Sequence, residues 1–262
     1  MIRSVAFVII LASALVAQAQ KKIISIPVSE EIAAAYVDRV GELYILTQNG
    51  QIQKYDLNGK VIAVYRSGPA PTLFEPRDGS RLFAFFREDG KINYMTPSFE
   101  VYNTTRIDSA FVIDPWLVFT SGDHNLWILD AADQTLKRIN PRTSALEIDV
   151  VFPKDLSTDL SNISFAREYQ GFVFLLDEHK GIHIFNNMGR WLKTITASNL
   201  SYFNFIGEEL YYQVGSQLVF INLHSGEQRQ IELPFTANTA LTTDERLYLI
   251  HSKSIDFFEF KP

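Results

Sequence analysis

The chain has 262 residues, 47% hydrophobic and 21% charged, the makeup of an ordinary globular protein of one large or two small domains. A formal net charge of −6 gives it no electrostatic reason to seek nucleic acid or an anionic membrane. The absence of cysteine excludes disulfides, thiolate metal sites and a lipid-modified N-terminal cysteine.

The first nineteen residues, "MIRSVAFVIILASALVAQA", place Arg3 before an apolar run from Val5 to Val16 and close on Ala17-Gln18-Ala19. This is the layout of a secretory signal peptide, so cleavage is expected after Ala19, with a periplasmic or secreted mature chain over residues 20–262. The run is shorter than the about 20 residues a membrane span needs. No later apolar stretch reaches that length, so the mature chain is expected to lack a transmembrane segment. "KKIISIPVS" (Lys21 to Ser29) then reads as a single strand with no local partner.

From there the chain repeats a pattern. Apolar pairs open six blocks, at Leu43-Tyr44, Leu82-Phe83, Leu126-Trp127, Val173-Phe174, Leu210-Tyr211 and Leu247-Tyr248. They recur about every 41 residues, within the range of four-stranded propeller blades. Each block runs strand, turn, strand, turn, strand. The turns, such as "TQNG", "DLNG" and "REDG", carry Asn-Gly or Asp-Gly pairs able to take the positive φ that hairpins favour. Before the blocks lie further apolar segments, "IAAAYV", "SAFVI", "ISFA" and "SYFNFI", expected as innermost strands. The last block stops after its third strand, "SIDFFEF", so the N-terminal strand is expected to complete it.

A four-stranded meander exposes an apolar face on each side, and stacking such sheets in a ring buries both. The expected fold is therefore all-β, one six-bladed β-propeller of four-stranded antiparallel blades over residues 20–262, closed by pairing the N-terminal strand with the last blade. The phrases "GQIQKYDLNGKVIAVY", "NLWILDAADQTLKRIN" and "FVFLLDEHKGIHIFNNMG" resemble those of NHL-like propellers and of uncharacterised secreted bacterial propeller proteins. The resemblance implies the fold. None of these phrases carries a catalytic residue of those groups, so it assigns no site.

Chemistry is sparse in the text. There is no Gly-x-Ser-x-Gly elbow, Walker loop or dinucleotide fingerprint. His179 and His183 straddle a predicted turn at Gly181 and need not converge. "DLSTDLSN" (Asp155 to Asn162) lacks the glycine and terminal glutamate of a calcium loop and reads as a solvated insertion. By inner-strand position, Asp38, Glu75, Asp114, Arg167, Asn204 and Asp244 are expected to reach the mouth of the channel. Asp38, Glu75, Asn204 and Asp244 are oxygen donors of the kind Ca²⁺ takes, the arrangement a lactonase or related hydrolase would need. Asp114, Trp116, Arg167 and Tyr202 are candidate binding residues, with Trp116 expected as an exposed anchor. The role expected from the sequence is a monomeric, non-catalytic scaffold without a cofactor, binding a protein or glycan partner, with a bacterial envelope complex as one setting for it. The alternative is the metal-dependent hydrolase.

Overall fold

The computed structural model describes residues 20–66, 68–77, 79–156 and 159–260. The expected signal peptide, residues 1–19, lies outside them. Strands are numbered along the chain. β1 is Lys22–Pro27. The first blade is β2 to β5, at Ile32–Val37, Leu43–Thr47, Ile52–Tyr55 and Val61–Tyr65. The second is β6 to β9, at Leu73–Glu75, Leu82–Phe86, Lys91–Met95 and Val101–Arg106. The third is β10 to β13, at Pro115–Thr120, Leu126–Asp130, Thr135–Asn140 and Ala145–Val151. The fourth is β14 to β17, at Ile163–Tyr169, Phe172–Asp177, Gly181–Asn186 and Trp191–Thr196. The fifth is β18 to β21, at Phe203–Ile206, Glu209–Val214, Gln217–Asn222 and Gln228–Glu232. β22 to β24, at Thr239–Thr242, Arg246–Ile250 and Ser254–Glu259, form a sixth sheet in the order β1-β24-β23-β22.

The chain is thus a six-bladed β-propeller of four-stranded antiparallel sheets. Burial explains the repeating grammar. β3, β7 and β11 are buried at every position, because a neighbouring blade covers each side of these strands. The outermost strands β5, β9, β13, β17 and β21 are exposed or half-buried at every position but Tyr65, since no further strand covers them.

Ring closure follows the expected route. Ser25 faces Asp256 and Ile26 faces Ile255 across the β1–β24 ladder. Lys22 pairs with Asp256 at 2.9 Å, and Glu259 N donates to Lys21 O at 2.9 Å. On the inner side, the Tyr248 hydroxyl of the sixth blade donates to Gly41 O of the first at 2.6 Å.

One inner strand departs from the expectation. In the third blade it is Pro115–Thr120, not the preceding "SAFVI". Residues 108–112 fold into a turn, with Phe111 N and Val112 N donating to Asp108 O at 3.1 and 3.3 Å. The buried Asp130 carboxylate then accepts from Ile113 N and Asp114 N, which holds this segment outside the ladder. Pro115 tolerates the first position of a strand because it has no N–H to leave unpaired there.

Candidate functional site

The C-terminal ends of all six inner strands meet at one end of the ring, around a cleft of about 990 Å³. From the channel mouth the cleft extends outward between the second and third blades, past Tyr94, Tyr102 and Asn103 on one side and Asn125, Leu126 and Arg142 on the other.

Glu75 and Arg167 form its floor. Glu75 ends β6 and is 1% exposed, and Arg167 lies within β14 at 5%. Glu75 Oε2 accepts from Thr120 Oγ1 at 2.8 Å, while Oε1 lies 3.3 Å from Arg167 Nε and 3.9 Å from Arg77 Nε. The Arg167 pair is in contact but misaligned, so Glu75 Oε1 and Arg167 Nε both lack a hydrogen bond, as does Arg167 Nη2. Arg167 Nη1 donates to Asn204 Oδ1 on β18. Beside this pair, Arg77 donates to Thr120 Oγ1 at 3.4 Å and to the main-chain carbonyl of Glu168. The Glu168 carboxylate in turn accepts from Ser121 Oγ at 2.5 Å, Trp127 Nε1 at 2.7 Å and Gly122 N at 3.0 Å.

Below Arg167 an aromatic cluster fills the channel. The rings of Tyr36, Phe165 and Tyr202 each contact the other two, at 4.9 to 6.5 Å between centroids. All three are buried. Burial pushes the Tyr36 and Tyr202 phenols up, so both stay protonated. The mouth is therefore the top of a plugged funnel.

The candidate metal donors sit in different settings. Asp38 closes its own turn: Oδ1 accepts from Glu42 N at 2.9 Å and Val40 N at 3.1 Å, and Oδ2 from Tyr44 OH at 3.0 Å. Burial pushes its carboxyl up to about 6, against those hydrogen bonds. Glu75 and Asn204 are joined through Arg167, and Asp244 is exposed in the turn after β22. Among the described residues no group of three His, Asp or Glu side chains is placed to hold a metal ion.

Two candidate binding residues are not at the mouth. Asp114 precedes β10, whereas the mouth gathers the far ends of the inner strands, so Asp114 lies at the opposite end of the channel. There it pairs with Arg87 at 3.1 Å. Trp116 is not an exposed anchor. It is half-buried, donates from Nε1 to Ile163 O at 2.8 Å and carries the Arg87 guanidinium 3.8 Å above its ring. That is a strut between the third and fourth blades. His183 is buried on β16, with Nδ1 2.8 Å from Thr194 Oγ1 and Nε2 3.5 Å from Asp177, and burial lowers its pKa. In "DLSTDLSN", Asp159 caps a short 3₁₀ turn at Leu160–Asn162, while Ser157 and Thr158 lie outside the described residues.

Sequence reasoning missed Arg77, Thr120 and Glu168. A usable signal existed only for Glu168, since a Trp at a core position such as Trp127 needs an acceptor for its N–H.

No family model matches the chain, and no curated protein matches it in sequence. Solved structures do share its shape. Virginiamycin B lyase from Staphylococcus aureus is 12% identical with a TM-score of 0.58, over 92% of this chain and 100% of the other. A streptogramin B lyase is 10% identical at 0.54, over 93% and 88%. The extracellular domain of the two-component protein BT4673 from B. thetaiotaomicron is 15% identical at 0.53, over 86% of this chain and 33% of that one. At these identities the likeness concerns the fold alone.

Proposed function

We propose that the mature chain, residues 20–262, is an exported, non-catalytic propeller that holds a protein or glycan partner on the face bearing the cleft. The observation that carries this reading is the cleft itself, about 990 Å³, where all six inner strands end above a plugged channel. A fixed ring presents that surface without the entropic cost of ordering it on binding. The arrangement does not favour the hydrolase alternative: a guanidinium lies between Glu75 and Asn204, where a cation would have to sit, and Asp38 is engaged by its own turn.

The test is isolation of the tagged protein from its native envelope, with and without substitution on either end of the ring. Tyr102→Ala, at an exposed position lining the cleft, is expected to release the co-purifying partner. Val214→Ala, exposed at the end of β19 away from the mouth, is expected to retain it. Equal retention by both variants would overturn the reading. Millimolar Ca²⁺ is expected to leave the melting temperature unchanged, and a rise would favour the hydrolase, since a ligand bound only by the folded state must stabilise it.

A further inference from the structure

The cleft has a charge bias opposite to that of the chain. Its described lining includes five arginines, Arg39, Arg77, Arg81, Arg142 and Arg167, against the three carboxylates Asp38, Glu75 and Asp244. That is an excess of two positive charges on one face of a protein whose net charge is −6.

Resting on the partner-binding reading, we infer that the group seated in the mouth is an acidic segment of a protein partner, recognised through its carboxylates. Three observations converge on this chemistry. First, hydrogen-bonding capacity at the floor is skewed toward donors. Arg167 is 5% exposed, yet Nη2 has no hydrogen bond and Nε meets Glu75 Oε1 only in a misaligned contact at 3.3 Å, two under-used donors against the single under-used acceptor Glu75 Oε1. Buried donors in that state favour an incoming acceptor-only group.

Second, the carboxylates that would receive sugar hydroxyls are already committed. Glu75 Oε2 accepts from Thr120 while Oε1 faces the Arg167 and Arg77 guanidinium groups as an ion pair, and Asp38 is held by Tyr44 and two main-chain N–H groups. A neutral glycan needs acceptors as well as donors, so it is poorly served here.

Third, the cations are spread rather than focused. Arg39 follows β2 and Arg142 follows β12, both exposed, while Arg77 and Arg167 lie between them at the mouth. Charges on the first, second, third and fourth blades suit several carboxylates spaced along an extended chain more than one compact anion. Guanidinium also pairs with carboxylates in a two-bond geometry that an ammonium cannot offer.

The experiment titrates the full mature chain with three fluorescent probes at low salt: a Glu-Ala alternating peptide, its Gln-Ala counterpart and an oligogalacturonate. Arg39→Gln and Arg142→Gln are the test variants, because both side chains are exposed and neither supports the buried floor. The Glu peptide is expected to bind at least about tenfold more tightly than the Gln peptide. Each arginine substitution is expected to weaken it about three- to fivefold, with melting unchanged, and added salt to weaken it further.

Equal binding of the two peptides overturns the acidic preference but leaves the face as a partner site. Tighter binding of the oligogalacturonate than of the Glu peptide overturns it in favour of an acidic glycan. Undetectable Glu-peptide binding, or affinity indifferent to both arginine substitutions, overturns it outright. The co-purification test above, which compares the two ends of the ring whatever the partner's charge, decides the underlying reading separately.

Discussion

At the scale of single residues, the mouth contains groups whose burial makes their partners obligatory. Removing one member of the Glu75–Arg167 pair strands the other charge at a site nearly closed to water. Glu75→Gln is therefore expected to destabilise the fold by about 3 to 5 kcal/mol, whereas Glu75→Leu with Arg167→Met should cost much less, because it removes both desolvated charges together. Denaturant melts of the two variants check that ordering. Asp38 gives a pH signature. Burial raises its carboxyl from 3.8 to about 6 in the folded chain, so between those values the folded state holds the proton more tightly than the unfolded. Its contribution is fully present below about pH 4 and falls as pH rises through 6. Asp38→Asn is expected to flatten the melting temperature over that interval and to raise it, relative to the parent, at neutral pH. A parent profile with no downward step toward pH 6 would contradict the assignment.

At the scale of elements, the turns between third and fourth strands govern how blades nest. In the first and fourth blades a glycine with positive φ occupies the turn, Gly59 and Gly189. In the second blade Phe99 holds the same kind of position at φ 67°. Its ring is 6% exposed, set edge-on to Tyr44 and 6.1 Å from Tyr65 of the first blade. The inter-blade contact outweighs a backbone strain of about 1 to 2 kcal/mol. Phe99→Ala loses the ring and keeps the strain, while Phe99→Gly loses the ring and relieves it. Phe99→Gly is thus expected to melt above Phe99→Ala although it has the smaller side chain. Gly181, the first residue of β16, is stricter. Its φ is 107°, and a Cβ there would stand 2.1 Å from Ile195 O. Gly181→Ala should cost about 3 kcal/mol or more, read as a melting temperature several degrees lower.

At the scale of the whole molecule, the blade count and the closure were legible because both rest on periodicity and turn residues, which each blade must keep. "SIDFFEF" without a following strand and "KKIISIP" without a partner pointed to each other, and the β1–β24 ladder joins them. The misplaced inner strand shows where that legibility ends. "SAFVI" has strand-like composition, but the turn at Asp108 and the Asp130 carboxylate withdraw it from the sheet, and neither effect is local in sequence. The mouth was legible only in part. Glu75, Arg167 and Asn204 fall where inner-strand position puts them, whereas Asp114 shows that a strand must be delimited before its ends can be assigned to a face. Arg77 and Glu168 enter the site through partners 43 to 91 residues away, which no local pattern records.

The most direct measurement is the thermal melt of residues 30–262 beside that of residues 20–262. The segment 20–29 supplies the outer strand of the sixth blade, the ladder to β24 and the Lys22–Asp256 pair. Its loss leaves the ring unfastened, and a cost of several kcal/mol lowers the melting temperature by about 10 °C or more in a chain of this size. A truncated protein that melts at the same temperature as the intact one would contradict the closed ring.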